Sequence, residues 1–158
     1  MSWKRIIFGF AALIVVAAGI TLGLARGGHA QLDPGSKAFF GPVGIAPGQT
    51  LRLAAVNAGL TVPPEPEVAC SVRLGFTGLD GRPLGSRKEL RLSPGTGGVL
   101  DLSHAETSMR GRVEVRPLAD VPASTLDQSA CAVDVVAEVI DNLTGRTATY
   151  VLPVAPET

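Results

Sequence analysis

The sequence predicts an all-β protein, a single antiparallel β-sandwich of about eight strands preceded by one N-terminal apolar helix. Three observations carry that expectation. Residues 6–25, "IIFGFAALIVVAAGITLGLA", hold no charge. From Phe39 onward, short apolar alternations are separated by Gly, Pro, Asn and Asp, and no 3.6-residue stripe persists over three turns. The chain holds 19 Gly and 12 Pro, too many for a helical bundle of this length.

The N-terminal stretch from Ile6 to Ala25 is long enough to span a bilayer as a helix, for which about 20 apolar residues suffice. A cleavable signal peptide has a shorter apolar region, about 7–15 residues, and then a small-residue site. Such a site is present here: "GHA" before Gln31, which puts cleavage between Ala30 and Gln31. Both readings, signal peptide and membrane anchor, stay open for residues 1–30. Lys4 and Arg5 precede the stretch and favour a cytoplasmic N-terminus, so both readings export the remainder of the chain. Residues 31–38 are small and polar and read as a linker, and residues 39–155 as the sandwich domain.

The strands can be taken in order. Residues 39–45, "FFGPVGI", contain a proline and read as an edge strand, with Phe39 and Phe40 pointing to opposite faces. Residues 50–57 put Leu51, Leu53 and Ala55 on one face and Arg52 on the other. Residues 69–77 alternate most clearly, with Cys70, Val72, Leu74 and Phe76 inward. Asp80-Gly81 then supplies a turn. Strands at 86–92, 98–103 and 112–118 come next, then 131–140, with Cys131, Val133, Val135, Ala137 and Val139 on one face, and finally 146–154. The long connections 60–69 and 119–130 are where function is expected. About 128 residues beyond Ala30 suffice for one domain with a substantial core.

Two cysteines in an exported domain predict one disulfide, Cys70–Cys131. Both begin strands. Bonding needs those strands to start at the same end of the sandwich, with Cα atoms closer than about 7 Å. One arrangement sets them on either side of residues 112–118, with one cysteine leaning in from its loop.

"IAPGQTLRL" (45–53) is echoed by "LSPGTGGVLDL" (92–102). Strand-Pro-Gly-strand joints of this kind resemble those of bacterial immunoglobulin-like β-sandwich domains. More closely, the chain is similar to a group of small exported bacterial proteins of unknown function, on "FFGPVGIAPGQTLRLAAVN" (39–57), "CSVRLGFTGLDGRPLG" (70–85), "RVEVRP" (112–117) and "DNLTGRTATYVL" (141–152). The resemblance implies an immunoglobulin-like sandwich. It implies no catalytic residues.

The chemistry-bearing candidates each meet a simpler explanation. "APGQT" and "SPGTGG" could offer amides to an anion, but neither has the lysine or the helix of a phosphate loop. Pro47-Gly48 and Pro94-Gly95 read as β-turns with Pro second and Gly third. Ser103, His104 and Glu106 are neighbours along a strand end, so they cannot form a nucleophile-base-orienter line. Asp134 and Glu138 share a strand face about 13 Å apart, too far for a glycosidase pair, and read as ion-pair partners or solvated groups. Aromatic stacking is poorly supplied: Trp3 precedes the apolar segment and Tyr150 is the lone tyrosine. Arg52, Arg73, Arg87, Arg91, Arg112 and Arg116 fall on polar faces with Glu89 and Glu114 interleaved, as cross-strand ion pairs or as a face for an acidic partner. No CxxC accompanies His29 and His104, so no metal or cofactor is expected. The Ala, Gly and Arg usage is bacterial in character, so the Asn142-Leu143-Thr144 sequon is given no role.

Beyond Ala30, 11 basic residues (14 less Lys4, Arg5 and Arg26) face all 14 acidic ones, a net charge of −3. That balance does not suit nucleic acid or an anionic membrane face. The expectation is an exported, periplasmic or extracellular protein, non-enzymatic, acting in the envelope as a structural or protein-interaction module. The alternative is an assembly factor or chaperone-like protein that binds partners by strand addition.

Overall fold

The computed structural model describes residues 30–59, 69–123, 131–151 and 153–154. Among the described residues, eleven strands form two antiparallel sheets: β1 (Ala30–Leu32), β2 (Lys37–Phe40), β3 (Val43–Ile45), β4 (Gln49–Asn57), β5 (Cys70–Gly78), β6 (Pro83–Leu92), β7 (Gly97–Ser103), β8 (Val113–Asp120), β9 (Val133–Asp141), β10 (Thr147–Val151) and β11 (Pro153–Val154). The first sheet runs β1-β9-β4-β7, with β10 also on β9. The second runs β11-β2-β8-β5-β6, with β3 also on β8. Two strands share one edge of β9, β1 along residues 133–135 and β10 along 137–140, while β4 covers the opposite edge.

The alternation seen in the sequence is the alternation between core and solvent. Leu51, Leu53 and Ala55 of β4 and Val133, Val135, Ala137 and Val139 of β9, from one sheet, share one buried cluster with Val72, Leu74 and Phe76 of β5, from the other. Phe40 is buried there, whereas Phe39 is 55% exposed. Adjacent strand residues point to opposite faces.

Four expectations are corrected. Residues 31–38 are not a linker: they hold most of β1, a turn and the start of β2, with Leu32 and Ala38 in the core. They read as polar because only alternate side chains enter the core and Asp33-Pro34-Gly35-Ser36 turns between them. Ala30 and Gln31, the expected cleavage pair, sit opposite Val135 and Asp134 in β1. Residues 39–45 are not one edge strand. They fall in β2 and β3, both on β8, and β2 has β11 on its other side. The register shifts by one residue across Gly41-Pro42, from Phe39↔Leu118 to Val43↔Val115, so the proline is accommodated by a break in the strand. The terminal stretch is likewise divided, because β10 lies in one sheet and β11 in the other. Finally, a short 3-10 helix, His104–Thr107, comes after β7. The expected membrane segment, Ile6 to Ala25, lies outside the described residues, and among those described no helix is long and apolar enough to cross a membrane.

Cys70 and Cys131 form a disulfide with Cα atoms 5.6 Å apart. Its placement differs from the arrangement around residues 112–118. Cys70 opens β5 in one sheet, and Cys131 precedes β9 in the other, so the bond ties the two sheets face to face. Closing a 61-residue separation stabilises the fold by about 4 kcal/mol in the chain-entropy model. A disulfide is compatible with an exported location.

Candidate functional site

The topology gives the sandwich two dissimilar ends. At one lie the disulfide, the Asp33–Ser36 and Ser93–Thr96 turns and the C-terminus of β4. Asn57 is fully buried there. Its Nδ2 donates to the Leu92 carbonyl at 3.0 Å and its Oδ1 accepts from the Gly59 N–H at 2.9 Å. Its backbone is also taken up, by Thr96 and Gly95. The loops where function was expected, 60–69 and 119–130, leave from this end and fall largely outside the described residues.

At the other end four connections meet: Ala46–Gln49, Gly78–Arg82, Ser103–Arg112 and Asp141–Arg146. In the first, the Gln49 N–H donates to the Ala46 carbonyl and Gly48 takes φ +84°, the conformation a type II turn requires of its third residue. The Ala46 N–H is itself taken by Gln49 Oε1 at 2.9 Å. The turn thus engages the Ala46 and Gln49 amides within itself. Pro94-Gly95 does the same at the disulfide end, and Pro34-Gly35 makes a third such turn, with Ser36 N–H donating to Asp33. In the Asp80-Gly81 turn, Asp80 Oδ1 accepts from the Arg82 N–H at 3.0 Å.

Ser103, His104 and Glu106 have a structural explanation. Ser103 Oγ accepts from the Ala105 N–H, and Glu106 Oε2 accepts from the Ser103 N–H at 2.7 Å, a capping box on the 3-10 helix. The Ser-x-x-Glu signature for it stands at 103–106. Buried His104 donates from Nε2 to the Gly111 carbonyl and pins the loop. Asp141 Oδ1 accepts from both the N–H and the hydroxyl of Thr144. Those bonds, the backbone one first, hold its carboxyl below the usual range against a small opposing effect of burial.

This end also carries exposed apolar side chains. Leu79 is 53% exposed, Met109 55% and Leu143 94%, each from a different connection. The Leu143 turn abuts the Pro47-Gly48 turn, since the Asn142 N–H donates to the Gly48 carbonyl at 2.9 Å. Nothing in the sequence flagged these three, because a lone apolar residue in a polar turn has no period.

The arginine faces resolve into cross-strand rows. On the first sheet, Asp101, Arg52 and Glu138 lie abreast on β7, β4 and β9. Arg52 meets Asp101 through two bonds of 2.8 Å, and Glu138 accepts from the Thr147 hydroxyl. The Asp101 hydrogen bond leads in raising the Arg52 pKa, with burial opposing and both carboxylates adding charge attraction. Asp134 lies two rows away, opposite Val56, with the Ala54–Val136 row between. On the second sheet, Lys37, Asp120, Arg73 and Glu89 alternate in sign across four strands, with Arg73 and Asp120 3.6 Å apart. Arg112, just before β8, pairs with Glu114 within it. Among the described residues, no group of three or more His, Cys, Asp or Glu could hold a metal ion.

No family model matches the chain. No curated protein matches it either. Among solved structures it is similar to Thermotoga maritima 1070, at 18% identity and a TM-score of 0.41, covering 80% of this chain and 96% of that one. At that TM-score the likeness carries no argument about fold or function.

Proposed function

We propose that this chain is an exported or membrane-anchored, non-enzymatic envelope protein that binds a protein partner through the turn end of its sandwich. The observation that carries the reading is the placement of Leu79, Met109 and Leu143. They are three of the six large apolar side chains exposed among the described residues, and they come from three separate turns at one end. Apolar side chains held on tight turns offer contact area at little ordering cost. The frame beneath them is tied by the disulfide at the far end, so the turns sit on a rigid support. The sheet-switching terminal strands and the inter-sheet disulfide support an immunoglobulin-like sandwich. So does the resemblance to small exported bacterial proteins.

Cross-linking in intact envelopes, read out by mass spectrometry, tests the reading. The wild-type chain is expected to capture a partner that a Leu79→Ser, Met109→Ser, Leu143→Ser variant loses. Equal capture by both would overturn it. N-terminal sequencing separates the two export routes: a first residue of Gln31 means cleavage, and Met1 means an anchor.

A second reading, partner binding by strand addition, is favoured by β7. It ends its sheet among the described residues, and exposed Val99 and Val56 lie on the adjoining outer face.

A further inference from the structure

We propose that β7 is a strand-acceptor edge whose occupant is a second copy of this chain, and that Lys88 holds this edge closed. The inference rests on the strand-addition reading and is independent of the turn-end surface.

The edge is defined by two hydrogen bonds. The Val99 carbonyl accepts from Lys88 Nζ at 2.9 Å, and the Ser103 N–H donates to Glu106 Oε2 at 2.7 Å. Neither partner is on β4, the neighbour of β7. Successive residues of an antiparallel strand direct their backbone groups to alternate sides. Gly97, Val99, Asp101 and Ser103 therefore present theirs away from β4. Among the described residues the Val99 N–H and the backbone groups of Asp101 meet no partner. That row of donors and acceptors specifies an extended strand as its complement.

The register selects a second copy and a way of seating it. Two β7 strands can pair about a two-fold axis at Val99, which sets Val99 against Val99 of the second copy and Asp101 against its Gly97. On the outer face, Val99, Ala54 and Val136 already lie abreast. Pairing at Val99 continues that apolar row into the second copy and leaves each Asp101 on its own Arg52. An axis at Asp101 would oppose two carboxylates, which repel. An axis at Leu100 would set Asp101 against valine and break the row.

Lys88 is the obstacle. It lies on β6, opposite Leu74 on the core-facing side, and crosses the gap between the sheets to reach the Val99 carbonyl. A lysine on an exposed edge is a recurrent device against strand pairing. The Lys88 ammonium and the incoming Val99 N–H compete for the same oxygen.

Sedimentation of the full-length chain in nonionic detergent tests this, with wild type, Lys88→Ala, Val99→Pro and Lys88→Ala/Val99→Pro compared under one condition. Removing the charge-assisted bond is expected to tighten self-association about tenfold in Lys88→Ala. Proline at 99 deletes the outward N–H and leaves the β4 ladder intact, so the double variant should fall back to wild type or below. A second route does not depend on proline being tolerated. In the Lys88→Ala background, Val99→Cys should form a disulfide between copies, since opposed residues of a hydrogen-bonded pair lie about 5.5 Å apart at Cα. Ala54→Cys, one strand inward, should not. No tightening in Lys88→Ala, tightening that survives Val99→Pro, or no Val99→Cys cross-link would overturn the proposal. Cross-linking of Val99→Cys to a different protein instead would also overturn it, while leaving the strand-addition reading in place.

Discussion

The two ends of the sandwich solve different problems with the same backbone. The disulfide end is buried chemistry: Cys70 and Cys131 join the sheets, and Asn57 satisfies a loop and a strand end at full burial. The turn end is surface chemistry. Its polar side chains are spent on its own backbone, as Gln49, Asp80, Glu106 and Asp141 show. The large apolar side chains exposed there are Leu79, Met109 and Leu143, beside the exposed arginines Arg82, Arg110 and Arg112. The difference teaches that stability is concentrated where the sheets are tied, and that the turn end can change its outward side chains with little effect on the fold.

Substitutions can sharpen that division. The largest effect belongs to Cys70→Ala/Cys131→Ala, which should lower unfolding free energy by about 4 kcal/mol, measured by urea titration. Asn57→Ala leaves the Leu92 carbonyl and Gly59 N–H without their partner and should cost about 2 kcal/mol by the same titration. At the turn end the expected effects are smaller. The Asp141 carboxyl titrates below its unfolded value, so the stabilisation it gives is full above pH of about 4 and is lost as pH falls through the lowered value. Melting temperature should therefore drop less between pH 5 and pH 2, as a rough span, in Asp141→Asn than in wild type. Least of all, Leu143→Ser should move stability by no more than about 0.5 kcal/mol. A loss near that of Asn57→Ala would erase the distinction between the ends.

Much of the frame was legible in the sequence, and the reasons are physical. β5 and β9 show one face each because one face is buried, and a period of two cannot be mistaken over nine residues. The Pro-Gly turns declare themselves through the conformations that only those residues favour. The features that were not legible depend on pairing. Residues 31–38 look like a linker until β9 and β8 are beside them. The division of strands between sheets, which sends Cys70 and Cys131 to opposite layers, has no local signature. The Ser103–Glu106 capping box did have one, the Ser-x-x-Glu spacing at 103–106. The turn-end side chains were invisible for a different reason: only the topology brings residues 79, 109 and 143 to one end.

Site-specific photo-cross-linking in intact envelopes tests the central claim most directly, with the reactive side chain at Leu143 on the turn end and, separately, at exposed Thr96 on the disulfide end. A discrete protein adduct at position 143 and none at position 96 is the expected result. Adducts at 96 alone, equal adducts at both, or none at either would contradict the assignment of the turn end as the binding surface.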